Sequence, residues 1–126
     1  MLFRSDIGAS IASGSATPHA MVIIPCSAGA IGSIASGISN DLLTRAADVC
    51  LKERRPLILC VRETPFNRIH LRNMTLAAEA GATIFPVIPA FYFQPTSTDE
   101  IACEFANRVL QHIGLQQPDA YRWKVQ

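Results

Sequence analysis

The sequence predicts an α/β fold: a doubly wound parallel sheet with helices on both faces. Two apolar runs, "MVIIP" from Met21 and "LILCV" from Leu57, are continuous rather than alternating, as strands buried on both faces must be. Helical patterns separate them, which is the order of a parallel sheet with helical crossovers. The chain has 126 residues, 49% of them apolar and only 17% charged. That is enough for one modest core, so residues 1–126 are expected to form a single domain.

Ile7 to Ser13 is small and weakly amphipathic, like the tail of a helix. Met21 to Pro25 is the first strand, short and rich in branched residues. Cys26-Ser27 then turns the chain into a small-residue helix, roughly Ala30 to Ser36. Asn40 or Asp41 can cap the next helix, roughly Leu42 to Arg54. Lys52, Arg54 and Arg55 close it with positive charge, which suits a helix C-terminus, and Pro56 stops it. Leu57 to Val61 is the second strand. A third helix runs from Ile69 to Ala80 and ends at Gly81. Ala82 to Val87 is a third strand, followed by the proline-rich loop "PVIPAFYFQPTS". Ser97 with Glu100 forms a capping box that opens a helix to about Ile113.

Only three strands are visible, and the pattern starts on a helix remnant. A Rossmann-like sheet, of which the flavodoxin-like order is one form, normally starts with a strand and a glycine-rich turn. The N-terminal strands of the fold are therefore expected to be missing.

Composition narrows the function classes. A net charge of +1 gives no electrostatic case for nucleic-acid binding. The apolar stretch from Ala20 to Ala35 is broken by Pro25, Gly29 and Gly32 and is too short to span a bilayer. No basic segment leading into an apolar run opens the chain, so no signal peptide is expected. Cys26, Cys50, Cys60 and Cys103 show no metal-ligand spacing and read as reduced thiols of a cytoplasmic protein. His19, His70 and His112 have no ligand neighbours either and read as structural or exposed. No metal is expected.

Ligands of such sheets bind outside the carboxyl ends of the strands. Two strands end there in polar residues, Cys26-Ser27 and Arg62-Glu63. Ser27 begins a helix, where hydroxyl and backbone N–H groups can hold an anion or a carbonyl-rich ring; a plain N-cap is the simpler reading. Arg62 and Glu63 are either a structural ion pair or part of a site. Arg45 and Lys52 lie seven apart on one helical face, which spacing alone reads as a solvated basic stripe. Arg108 inside the last helix and Tyr92 after its Pro-Ala-Phe turn are ordinary surface and packing residues when taken singly. Trp123, the one tryptophan, could anchor the tail or serve as a lid.

The segments "DIGASIASGS", "MVIIPCS", "DLLTRAADVCLKERRPLILCVRETP", "HLRNM" and "PAFY" occur in this order. In them the chain, from Asp6 onward, closely resembles the UbiX family of flavin prenyltransferases, long labelled as aromatic-acid decarboxylase subunits. The resemblance implies that reduced FMN and dimethylallyl phosphate are the substrates. The prenyl group would be joined to flavin N5 and C6, and the product passed to UbiD-type decarboxylases, as in ubiquinone biosynthesis. It also implies a homo-oligomer. Matched to the family's motifs, Arg62 of "RET" contacts flavin in the phosphate region, and Glu63 belongs to the active-site proton network. Lys52, Tyr92 and Arg108 hold the prenyl phosphate, Arg45 is a further active-site arginine, and Ser27 lies beside the flavin ring. Converging cations and a phenol can neutralise a departing phosphate by preorganised electrostatics. The sequence has no aspartate-rich magnesium-diphosphate motif.

Two departures from the family pattern bear on these expectations. The opening strand, the glycine-rich phosphate turn and the second strand have no counterpart here. Ala30 stands where many members carry threonine, which removes one hydroxyl from the flavin side. A catalytically silent FMN-binding fragment or assembly subunit is accordingly the alternative to a working transferase.

Overall fold

The computed structural model describes residues 13, 14 and 18–115. The chain divides into two compact units, Met1–Pro86 and Val87–Gln126. The helix tail expected over Ile7 to Ser13 falls, except for Ser13, outside the described residues, as does Trp123.

In the first unit the elements are β1 (Met21–Cys26), α1 (Ala28–Ala35), α2 (Leu42–Lys52), β2 (Leu57–Val61), α3 (Arg68–Glu79) and β3 (Thr83–Ile84). The strands form a parallel sheet in the order β1-β2-β3. The predicted α/β class is observed, with helices supplying every crossover. β2 is the centre, and all five of its residues are buried. Leu57, Leu59 and Val61 join a core with Ile31 and Ile34 of α1, Ala47 and Cys50 of α2 and Ala77 of α3. Ile58 and Cys60 alternate onto the other face and are buried too. A continuous apolar run is what a strand covered on both faces requires. β1 differs: Ile24 and Pro25 are exposed.

Local chemistry sets the helix starts. Asp41 caps α2 by accepting the Thr44 N–H at 2.8 Å, while the Asp41 N–H reaches Thr44 Oγ1. Such a reciprocal cap contributes about 1 kcal/mol. α1 is built from "AGAIGSIA". These small residues let α1 press against α3, where a Cβ on Gly32 would stand 3.3 Å from the Asn73 amide.

Three elements have boundaries that differ from expectation by two residues or more. α1 starts at Ala28, not Ala30, because Ser27 itself is the cap. α2 ends at Lys52 rather than Arg54, because Arg54 adopts φ 57° to turn into β2. β3 holds only Thr83 and Ile84, not Ala82 to Val87, because Pro86 and Pro89 bracket a stretch that cannot continue a ladder.

The second unit contains the proline-rich segment and α4 (Thr98–His112). Ser97 accepts the Glu100 N–H at 3.2 Å, as a capping box requires. The Glu100 carboxylate reaches back one residue further than expected, to the N–H and hydroxyl of Thr96. Gly114, at φ 87°, follows the helix end.

Candidate active site at the carboxyl edge of the sheet

β1 and β2 end side by side, with Cys26 in register with Val61 and the Arg62 N–H donating to the Cys26 carbonyl at 3.2 Å. That bond places Ser27 next to Arg62 and Glu63, the three polar residues that follow the strands. Ser27 Oγ accepts the Ala30 N–H at 3.1 Å. The plain N-cap reading of Ser27 therefore holds, yet its hydroxyl proton stays available to an acceptor in front of the helix.

Arg62 and Glu63 do not pair with each other. No ion pair among the described residues involves Arg62, whose side chain is exposed. Glu63 is half-buried, and its Oε1 accepts the Thr64 N–H at 3.0 Å. The two leave β2 on opposite sides. Glu63 and Val61 line a narrow crevice, too tight to admit a water molecule, together with Ala28, Ile31, Phe66, His70 and Met74. Arg62 is absent from that lining and continues the parity of Ile58 and Cys60.

His70 and Phe66 are members of this edge that sequence reasoning did not single out. His70 is the third helical residue of α3. Its N–H donates to Asn67 Oδ1 at 2.8 Å, and its Nδ1 accepts the Asn67 N–H at 3.3 Å. Phe66 meets the imidazole edge-to-face at 6.5 Å. The signal lay in "NRIH", a capping box in which histidine holds the place usual for glutamate or glutamine.

The structure does not bring Lys52 to this cluster. Lys52 ends α2, close to the amino end of β2, where the Met21 N–H meets the Pro56 carbonyl. The five residues of β2 lie between the two edges, roughly 16 Å at 3.3 Å per residue. Lys52 lies 3.6 Å from Glu53, and Arg45 lies 3.7 Å from Asp48 on the same exposed stripe of α2. Tyr92 and Arg108 belong to the second unit. Tyr92 is half-exposed and stacks edge-to-face on Phe93 at 5.9 Å, while Arg108 projects from α4.

Burial raises the pKa of Cys60, and it raises that of Cys50 against the opposing pull of Arg55. Among the described residues no group of three His, Cys, Asp or Glu side chains could hold a metal ion, and no helix is long and apolar enough to cross a membrane.

The flavoprotein family profile matches residues 3–113. The chain belongs to the flavoprotein family. Within that family it is 52% identical over 121 residues to flavin prenyltransferase UbiX of Escherichia coli strain K12, covering 94% of this chain and 64% of the relative. Flavin prenyltransferase UbiX of Pseudomonas aeruginosa is 48% identical over 120 residues, covering 95% of this chain and 57% of the relative. The chain thus spans less than two thirds of these flavoproteins' length. A crystal structure of AnUbiX in complex with FMN and dimethylallyl pyrophosphate superposes with a TM-score of 0.94 at 42% identity, covering 98% of this chain and 65% of that one. A dodecameric FMN-dependent Ubix-like decarboxylase from Escherichia coli superposes at 0.92 and 42% identity, covering 97% and 66%.

Proposed function

We propose that this chain carries the catalytic edge of a flavin prenyltransferase, which moves a dimethylallyl group from dimethylallyl phosphate to reduced FMN. The observation that carries the reading is the superposition, at a TM-score of 0.94 and 42% identity, on a relative crystallised with FMN and dimethylallyl pyrophosphate, with Arg62 left without an acidic partner among the described residues at the carboxyl edge. The residues fit the flavin. Ser27 offers a hydroxyl proton beside the α1 N-terminus, and Arg62 offers a planar cation suited to carbonyl or phosphate oxygens. The flavin supplies the nucleophilic ring atoms N5 and C6 that take up the prenyl group.

The chain's own residues then have distinct roles. Ser27 and Arg62 hold and orient the flavin. Glu63, fixed by the Thr64 N–H, accepts a proton near the ring. Lys52, Tyr92 and Arg108 bind the prenyl phosphate, where positive charge and a phenol offset the charge that grows as the C–O bond breaks, and Arg45 is a further active-site arginine. That donor set supports a metal-independent reaction. Lys52 lies at the opposite edge from Ser27 in its own chain, so we assign its ammonium to the site of a neighbouring copy. Homo-oligomers of the kind its dodecameric relative forms would provide that arrangement. We assign the protein to the cytoplasm, where its free cysteines would stay reduced, and a UbiD-type decarboxylase as the recipient of the prenylated flavin. Residues 1–126 act as one flavoprotein domain in this reading, with Trp123 as its candidate lid.

Anaerobic incubation with dithionite-reduced FMN and dimethylallyl phosphate tests the proposal. Mass spectrometry should find flavin carrying one added five-carbon unit. Unmodified FMN after incubation with either the monophosphate or the diphosphate donor would overturn it.

A further inference from the structure

The second unit carries a pocket of about 400 Å³ whose lining includes none of the residues assigned to prenyl transfer. Glu100, Cys103, Glu104 and Asn107 line it from one face of α4, at the three- and four-residue spacing of a helix. Phe93, Gln94 and Thr96 line it from the segment that leads into the helix. The two carboxylates differ. Glu100 accepts the N–H and the hydroxyl of Thr96. Glu104 is only 7% exposed, yet no hydrogen bond or ion pair among the described residues involves its side chain. A buried carboxylate is costly until something compensates it. The helix adds to the cost, because Glu100 and Glu104 are like charges four residues apart. No lysine, arginine or histidine is among the lining residues, and Arg108, four residues beyond Glu104, is not one of them.

We infer that this pocket binds a small organic cation, with a guanidinium or ammonium head seated on Glu104. A guanidinium suits the lining well. Its fork pairs with a carboxylate through two hydrogen bonds, and its flat face suits an aromatic ring such as Phe93. Gln94 and Asn107 add amide oxygens for the remaining N–H groups. A metal ion is a poorer occupant, since no three His, Cys, Asp or Glu side chains among the described residues are placed to hold one. The volume falls within the roughly 300–1,000 Å³ of small-molecule sites, more than the tip of one basic side chain fills. Nothing in this site depends on the prenyl-transfer reading.

Butylguanidinium is the probe, and Cys103 is the reporter, since its exposed thiol lines the same pocket. In the full chain at constant ionic strength, butylguanidinium should slow alkylation of Cys103 by iodoacetamide in a saturable way. Butylurea, of nearly the same shape but neutral, should not. Glu104→Gln keeps the shape of the side chain and removes its charge. The concentration of butylguanidinium needed for half-protection should rise about tenfold or more in that variant, as loss of a charge-assisted pair predicts. Equal protection by butylurea, or equal protection of Glu104→Gln, would overturn the inference. Without ligand, Glu104→Gln should melt at or above the temperature of the unaltered chain, because it discharges a buried carboxylate that has no partner. A clearly lower melt would show the carboxylate to be compensated within the fold and would sink the inference as well. Protection of Cys103 that needs no butylguanidinium and grows with protein concentration would assign the pocket to a basic side chain of a second copy, and the small-molecule site would be rejected.

Discussion

The two ends of β2 handle charge differently. At the amino end, Lys52 lies against Glu53 and the helix terminus behind it offers further compensation. At the carboxyl end, Arg62 has no acidic partner among the described residues, and Glu63 is held by a backbone N–H instead of by its neighbour. A pair built for stability would have been joined. Charges kept apart at the edge where parallel sheets bind ligands are available to a ligand. The difference also divides the basic residues by role. In the proposed reaction Arg62 serves the flavin of its own chain, and Lys52 does not.

Cutting the strand that joins the two ends should have the largest effect. Leu59 is fully buried in the core, and Leu59→Ala should lose about 2–5 kcal/mol, from lost burial together with the cavity left behind. Urea unfolding would show this as a lower midpoint with an unchanged slope, and both edges should fail together. Arg62→Ala should break only the carboxyl end. FMN affinity should drop about ten- to a hundredfold, as loss of a charge-assisted bond predicts, while stability moves by less than about 0.5 kcal/mol. Fluorescence quenching and a thermal melt on the same sample decide between site and scaffold.

Lys52→Ala sharpens the contrast from the other end. Use of dimethylallyl phosphate should weaken about ten- to a hundredfold with FMN binding intact, and unchanged turnover at limiting donor would remove Lys52 from the site. Refolding Lys52→Ala and Arg62→Ala chains together should recover activity that neither has alone, if each site draws on two copies. Ser27→Ala should cost about 1 kcal/mol as a lost cap, and Ser27→Thr little; a flavin role adds an affinity loss that the melt cannot account for.

The smallest expected effect is on pH. Burial holds the native thiols of Cys50 and Cys60 above their ordinary pKa. Their contribution to stability is complete below the unfolded thiol value, about 8.5, and declines as pH rises through the raised native value. Denaturation midpoints should therefore fall modestly between about pH 8 and pH 10. A thiol reagent at pH 8 should label exposed Cys103 well before the buried three.

Much of the fold was legible because burial writes itself into composition. "LILCV" has no charged or strongly polar side chain to solvate, and β2 runs over the expected residues. Caps were legible for the same local reason: Asp41 and Ser97 stand where an N-cap must. The third strand was overestimated because "ATIFPV" has strand composition, but proline denies it a ladder. The family's motifs offered a candidate site as a set of residues. Its geometry was not legible, since no spacing rule says that Arg62 and Glu63 would part or that Lys52 would end at the far edge. His70 escaped because a histidine without metal-ligand neighbours looks idle until the crevice beside it is seen.

The alternation along β2 has one more consequence. Leu57, Leu59, Val61 and Glu63 fall on one side, and Ile58, Cys60 and Arg62 on the other. Which of the two charged side chains enters the crevice is thus decided by whether an odd or even number of residues separates it from Leu57. Deleting a single residue within the strand would reverse that assignment, sending a guanidinium into the crevice and the carboxylate out. Point substitutions alter this edge by degrees, whereas a change in chain length within β2 inverts its polarity in one step.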